Sequence, residues 1–364
     1  MQKIYTSEGY FSFDEIRSGK FAIDDEYLKY TLNFCKDWLS GTTHFTFTTS
    51  GSTGSPKAIV ADREHMLISA RGTIKAIQLT AAEHVYLCIS SKMIGGAMML
   101  VRAMELGCDI TIVSPTSNPI DIIDENHPYT FVSFVPMQVF EVQSDESIQR
   151  KLNRFKHILL GGASANENTL LALSKLTCET WQTYGMTETL SHIALRRVGK
   201  DKYYKVLEGV HIKKDERNCL CISSPITDDQ WLLTNDVINL VDETHFELAG
   251  RIDDVINSGG IKIFSYDVEH AIIEKMNELE IPPKPMFVCR KPDEKYGESV
   301  VVVMMGEKLN DILLEQLKDY CKNTLGKYAA PRHFYFVNEF EKLESGKLDK
   351  KLTLQKVLNK DQIS

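Results

Sequence analysis

The chain has 364 residues, 43% of them hydrophobic and 25% charged, with a formal net charge of -8. That length predicts two domains with ample core. The diffuse acidic excess excludes the clustered basic footprint of a nucleic-acid binder. The eight cysteines form no C-x-x-C pair. Cys219 and Cys221 would share one strand face, but no second cluster stands at zinc spacing, so the thiols read as buried hydrophobes in a reducing compartment. The start, MQKIYTSEGYFSFDEI, lacks a basic stretch followed by an apolar run, and Val300–Met305 is too short to cross a bilayer. A cytoplasmic protein with no membrane span is therefore expected.

In chain order, residues 1–40 form an introductory region with a helix over Asp24–Leu39. The strand Phe45–Thr49 leads into a Ser/Thr/Gly-rich loop, and the helix Arg63–Ile77 follows. Strands at Val85–Ile89, Asp109–Val113, Thr130–Val135, His157–Leu160 and Cys178–Tyr184 alternate with helices at Gly96–Leu106 and Asn166–Leu176, which predicts parallel sheets. Short strands then dominate, at Cys219–Ser223, Gln230–Thr234, Val237–Val241 and Thr244–Leu248, as in a small antiparallel subdomain. Beyond Asp254 a compact α+β pattern is predicted: helices Val268–Asn277 and Ile312–Thr324 with strands Pro285–Arg290, Val300–Met305 and His333–Val337. The fold class expected is α/β. A large N-terminal domain, residues 1–251, carries mostly parallel sheets and the small β subdomain. A small α+β C-terminal domain, residues 252–364, follows.

Five motifs carry chemistry. In FTFTTSGSTGSPK, Phe45–Lys57, successive small residues let backbone N–H groups turn toward an anion. The hydroxyls of Ser50, Ser52, Thr53 and Ser55 add donors, and Lys57 adds charge. Pro56 before the lysine departs from the Walker A pattern; a plain surface turn is the alternative. The second motif is Gly161-Gly162-Ala163 with Thr183-Tyr184-Gly185-Met186-Thr187-Glu188-Thr189. Glu188 is a hard oxygen ligand suited to Mg²⁺ on phosphates, and Tyr184 offers a ring to a purine; a helix cap at Thr187 is the alternative. Thr234-Asn235-Asp236 reads either as a ribose-binding carboxylate or as a hairpin turn. Gly250-Arg251-Ile252-Asp253-Asp254, followed by Asn257-Ser258-Gly259-Gly260, is by composition a charged turn and a glycine loop. Last, Tyr328-Ala329-Ala330-Pro331-Arg332 precedes Leu343-Glu344-Ser345-Gly346-Lys347, in a lysine-rich tail that locally reads as a solvated face.

TSGSTGSPK followed by YGMTET, with all five motifs in this order, resembles the adenylate-forming superfamily of acyl-CoA synthetases, luciferases and peptide-synthetase adenylation domains. The resemblance covers most of the chain and implies roles. Thr49, Ser50, Gly51, Ser52, Thr53, Gly54 and Lys57 would hold the nucleotide phosphates, completed by Gly162, Ala163, Tyr184 and Gly185. Asp236, in a slot that usually reads Thr-Gly-Asp, would bind the ribose hydroxyls, and Arg251 the ribose or α-phosphate. Asp253 would be the hinge of a mobile C-terminal domain, and Gly259 and Gly260 would face coenzyme A. Lys347, Thr187 and Glu188 would be catalytic, with Glu188 meeting Mg²⁺ through the phosphates. The implied reaction joins a carboxylic acid to ATP as an acyl-adenylate and then to the CoA thiol, with Mg²⁺ and no prosthetic group. The expected phosphate loop starts much earlier here than in typical members, so much of the usual N-terminal subdomain is expected to be missing or replaced by residues 1–40. The chain is most similar to short ligases acting on o-succinylbenzoate. By that similarity Lys92, Gly95, Gly96, Met186 and His192 would line the acyl pocket, Lys92 pairing with a second carboxylate unless it is a plain surface lysine. A homodimer is compatible with the resemblance. An enzyme that loads a carrier protein, or a degenerate adenylate sensor, are the competing readings.

Overall fold

The computed structural model describes residues 2–48, 58–143, 145–163, 165, 167–282, 284–341 and 348–361. Two compact units divide the chain. One comprises Met1–Ile212 with Ile222–Leu232 and Val241–Phe246; the other comprises Lys213–Cys221, Leu233–Leu240 and Glu247–Ser364. The segment around Asp236 thus groups with the C-terminal residues.

The first unit opens with strands β1 (Lys3–Thr6) and β2 (Gly9–Ser12). A capping box starts α1 (Phe13–Arg17), the Ser12 hydroxyl accepting from Glu15 N while Glu15 accepts from Ser12 N. Helix α2 (Glu26–Leu39), capped by Asp25, buries Leu28, Leu32, Cys35 and Trp38 at helical spacing. Strands β3 (His44–Thr48) and β4 (Ala58–Asp62) form an antiparallel pair, and Asp62 caps α3 (Arg63–Ile77). There follow β5 (His84–Leu87), α4 (Ile94–Leu106), β6 (Asp109–Ile112), β7 (Phe131–Phe134), α5 (Glu146–Leu152), β8 (His157–Leu160), α6 (Glu167–Ser174), β9 (Glu179–Gly185), β10 (His192–Arg197) and β11 (Tyr204–Val206). Hydrogen-bonded neighbours run β2-β1-β6-β5-β7-β8-β9-β10-β11. Every pairing from β1 to β9 is parallel. Strand β5 is buried along its whole length, as a strand covered on both faces must be. Strand β1, unforeseen in the sequence, joins the sheet through a parallel pairing with β6.

Next come β12 (His211–Lys214), β13 (Cys219–Ser223), β14 (Leu232–Leu240) and β15 (His245–Arg251). The sequence predicted two strands broken by a turn at Thr234–Asp236. Instead β14 runs straight through, with Thr234 and Asp236 both buried and Asn235 half-buried between them. Alternation of period two survives there, but two of its inward residues are polar, which reads as a break in hydropathy.

The second unit continues with β16 (Val255–Ser258), β17 (Ile261–Phe264), α7 (Ser265–Glu278), β18 (Met286–Asp293), β19 (Gly297–Met305), α8 (Asp311–Leu325), β20 (His333–Val337) and α9 (Lys350–Asp361). The sheet order is β17-β16-β19-β18, with β20 parallel to β19. Ile256, Val268, Ile272, Met276, Val288, Val302 and Leu317 fill its core. All eight cysteines are free thiols. Among the described residues no helix is long and apolar enough to cross a membrane.

Two buried histidines set a pH dependence. His84 and His192 are 6% and 7% exposed. Burial draws both below the ordinary value, with Arg102 adding to the effect on His192. The unfolded chain takes up protons near pH 6.5, where the folded chain resists them, so stability falls as pH drops below about 6.5. Each histidine contributes a slope of at most about 1.4 kcal/mol per pH unit. Urea midpoints should be flat above about pH 7.5 and decline steadily from about pH 6.5 to 5. A midpoint that rose on acidification would contradict this.

Candidate active site

Three segments leave the carboxyl ends of parallel strands in the first unit. Ser90–Gly96 follows β5, Gly161–Ala163 follows β8, and Met186–Ser191 follows β9. Open α/β sheets bind ligands at this edge. Gly162 and Ala163 are exposed there. Residues Thr187–Thr189 form a single 3₁₀ turn rather than the start of a long helix. The buried Thr189 hydroxyl ties it down, lying 3.1 Å from Met186 N and donating to Ser191 O at 2.8 Å. Glu188 is exposed on this turn, with Met186 and Thr187 half-buried beside it. Tyr184 is buried, its ring edge-on to Phe246 at 5.2 Å and to Tyr204 at 6.1 Å. Gly185 stands opposite His192 in the β9–β10 register.

Helix α4 departs most from what its sequence announced. Every residue from Gly96 to Met104 is buried, Arg102 among them. Arg102 is 2% exposed. Its Nη2 donates to Ser191 Oγ at 2.7 Å, its Nη1 meets Met99 Sδ at 3.9 Å, and its Nε has no partner. Among the described residues no carboxylate pairs with it. Burial draws its pKa down to about 9, so the group is still charged at neutral pH. Ser191 Oγ lies 3.4 Å from His192 Nδ1, and His192 Nε2 lies 2.8 Å from Thr73 Oγ1. A chain Thr73–His192–Ser191–Arg102, buried except at the half-buried Ser191, therefore links α3, the β9–β10 turn and α4. With His192 neutral, Arg102 supplies its one full charge. A buried cation without a counter-charge carries a desolvation penalty of several kcal/mol, which an incoming anion would offset. Lys92, by contrast, is exposed, its Nζ 5.5 Å from the Tyr30 ring centroid; Gly95 is exposed as well. Arg102 escaped the sequence reading, although a lone arginine in the apolar run Ala97–Met104 was a signal for it.

Gly96 is forced by crowding. A Cβ there would stand 2.2 Å from Ser90 O and 2.8 Å from Ser91 N, so Gly96→Ala must displace the loop after β5. Overpacking of this kind costs about 1–3 kcal/mol. The variant should show a lower urea midpoint and an acid-dependent turnover reduced more than about tenfold. Wild-type turnover in the variant would contradict the packing.

In the second unit, Arg251 Nη1 donates to Asp236 Oδ1 at 2.9 Å and Nη2 to Asp253 Oδ2 at 2.9 Å. Burial works against the Arg251 charge, but Asp236, Asp253 and Asp254 outweigh it and raise its pKa. Asn235, standing where a glycine is usual, donates to the Asp253 carboxylate at 3.1 Å and accepts from Arg217 at 3.1 Å. Gly259 and Gly260, with φ of 59° and 81°, make the two-residue turn between β16 and β17. Positive φ at both positions is the hairpin geometry that favours glycine. Gly259 N donates to Tyr296 O, and a Cβ on Gly259 would strike the Tyr328 ring at 2.3 Å. Thr49, Ser50, Gly51, Ser52, Thr53, Gly54 and Lys57 lie outside the described residues, between Thr48 and its register partner Ala58. Lys347 also lies outside them, just ahead of Leu348 and α9.

The model of AMP-binding enzymes matches residues 36–217, and that of the AMP-binding enzyme C-terminal domain matches residues 286–347. The chain belongs to the AMP-binding enzyme family. Within it, the protein is similar to the 2-succinylbenzoate–CoA ligase of Enterococcus faecalis, with 27% identity over 333 residues, 83% of this chain and 67% of that protein. The 2-succinylbenzoate–CoA ligase of Listeria monocytogenes is 25% identical over 83% of this chain and 68% of its own length. The chain thus spans about two thirds of these ligases. A solved acyl-CoA synthetase (AMP-forming)/AMP-acid ligase II-like protein from Dyadobacter fermentans is 34% identical with a TM-score of 0.62, over 94% of this chain and 97% of that one. The O-succinylbenzoate–CoA synthetase of Bacillus subtilis, solved with ATP and magnesium, shares the fold at 22% identity and a TM-score of 0.68, over 85% of this chain and 69% of that one. The protein is accordingly an enzyme of the AMP-forming acyl-CoA ligase group.

Proposed function

We propose that this enzyme ligates o-succinylbenzoate to coenzyme A, consuming ATP and releasing AMP and pyrophosphate. The observation that carries the choice of acid is Arg102, a buried guanidinium with an unpartnered Nε and no acidic neighbour among the described residues. A dicarboxylate suits it: one carboxylate reacts while the other supplies the missing counter-charge. The names of the relatives support the same acid.

In this reading an oxygen of the reacting carboxylate attacks the α-phosphorus of ATP, and pyrophosphate leaves. The thiol sulfur of coenzyme A then attacks the acyl carbon, and AMP departs with the bridging oxygen. Positioning and electrostatics carry the first step. Thr49–Gly54 and Lys57 hold the phosphates, with Gly162, Ala163, Tyr184 and Gly185 completing the nucleotide site. Asp236 takes the ribose, and Arg251 holds the Asp236 carboxylate in place. Thr187 and Glu188 face the triphosphate. Mg²⁺ would bind through phosphate oxygens with Glu188, whose exposed position on its turn fits that task, and would neutralise developing charge there. Lys347 stabilises charge on the α-phosphate and the reacting carboxylate. Residues 252–364 serve as a lid hinged at Asp253, with the Gly259–Gly260 turn presented to coenzyme A.

The test is pyrophosphate and AMP release from Mg·ATP across o-succinylbenzoate, benzoates, fatty acids and D-alanine, with and without coenzyme A. Coenzyme-A-dependent AMP release with o-succinylbenzoate, well above that with benzoate, is the expected result. Equal rates with benzoate would discard the dicarboxylate. Adenylation of D-alanine without transfer to coenzyme A would favour a carrier-loading enzyme instead.

A further inference from the structure

We propose that α2 braces the acid-binding loop, which makes Tyr27 and Thr31 positioning residues for the acid substrate. The idea rests on the ligase reading of the same site and says what holds one wall of it. Tyr27, Tyr30 and Thr31 stand at i, i+3 and i+4, on one face of the helix, and all three touch residues 89–92. The Tyr27 hydroxyl donates to Ile89 O at 3.4 Å and accepts from Ser91 N at 3.1 Å. Thr31 Oγ1 lies 2.7 Å from Ser91 Oγ, and both residues are 0% exposed. Because Thr31 also donates to Tyr27 O at 2.9 Å, the proton between the two hydroxyls comes from Ser91. The Tyr30 ring faces Lys92 Nζ.

The loop passes this restraint on to α4. Met93 N donates to Ser90 O, and Met93 O accepts from both Gly96 N and Ala97 N, so the braced turn is continuous with the first turn of the helix. Arg102 sits less than two turns further along. Its reach to Ser191, and hence to a bound carboxylate, depends on where that first turn lies. Leu28, Leu32, Cys35 and Trp38 are buried on the same helix, and Tyr27→Phe and Thr31→Val leave that apolar packing in place. Removing two hydroxyls should therefore leave the helix docked while loosening the loop. A buried Ser91 hydroxyl that has lost its acceptor cannot keep its place without cost.

The experiment compares wild type, Tyr27→Phe, Thr31→Val, the double variant and Thr31→Ser. Acid-dependent pyrophosphate release is measured with acid and ATP varied separately, and hydrogen exchange is followed on the same proteins. The double variant should raise the KM for the acid about tenfold with the KM for ATP within about twofold, and Thr31→Ser should behave as wild type. Amides of Ser91 and Met93–Ala97 should exchange about tenfold faster in the double variant while those of α2 stay protected. Unchanged exchange, a KM for ATP rising in step with that for the acid, or no rescue by serine would each overturn the brace. Exchange needs no substrate, so it decides the brace even if wild type turns over none of the acids, a result that would sink only the ligase reading.

Discussion

Lys347→Ala should lower acid-dependent pyrophosphate release by about 10²–10³ or more, the usual consequence of deleting a preorganised charge aimed at a developing anion. The same variant should still convert preformed acyl-adenylate and coenzyme A to thioester, because the proposed lid motion withdraws Lys347 before the second half-reaction. Lys347→Arg should recover part of the loss, since it keeps the charge but not its compact placement. The lysine closes the stretch matched by the C-terminal family model, residues 286–347. The check is pyrophosphate exchange beside thioester formation from synthetic adenylate. If Lys347→Ala slowed both half-reactions equally, the lysine would be structural or shared between the steps, and its assignment to adenylation would fall.

Arg102→Met is expected to cut kcat/KM for o-succinylbenzoate by about 10²–10³, the effect of truncating one partner of a buried charge pair. Turnover of benzoate, which has no second carboxylate, should change by less than about threefold. Stability should move the other way. Most core substitutions destabilise, but this one removes a buried cation that has no counter-charge and leaves an apolar chain of similar length. Replacing such a charge by a hydrophobe is often neutral or stabilising, so the urea midpoint of the free enzyme should stay level or rise. Ligand-induced stabilisation by o-succinylbenzoate should vanish at the same time. A variant that lost stability and kept its preference for the dicarboxylate would show Arg102 to be a core residue with no part in the site.

Much of the frame was legible because its signals are local. The helix Arg63–Ile77 and the strands His157–Leu160, Cys219–Ser223 and His333–Val337 occur with the bounds their patterns gave. In each, hydrophobic period and flanking polar residues agree, and no distant partner overrides them. Strand β1 was missed because a four-residue strand has almost no period to show, and it is held by its pairing with β6. Thr234–Asp236 was misread as a turn because its inward residues are polar. Their partners, Arg251 for Asp236 and Arg217 for the Thr234 carbonyl, come from elsewhere in the chain. The run Thr49–Lys57 stood out in the sequence because its glycines, hydroxyls and lysine follow one another, as a phosphate-binding loop would need; it lies outside the described residues.

The sequence by itself determined the alternating α/β plan and, through five motifs in order, a family resemblance that the family models bear out. Tertiary structure alone decided which charge is buried. Lys92 and Arg102 lie ten residues apart and are equally cationic in the sequence, yet one is exposed and the other sealed in α4. The contacts that settle the matter join Thr31 to Ser91, Arg102 to Ser191 and Thr73 to His192, across 60, 89 and 119 residues. Burial and pairing at those separations follow from the packing of whole elements, and no local period records them.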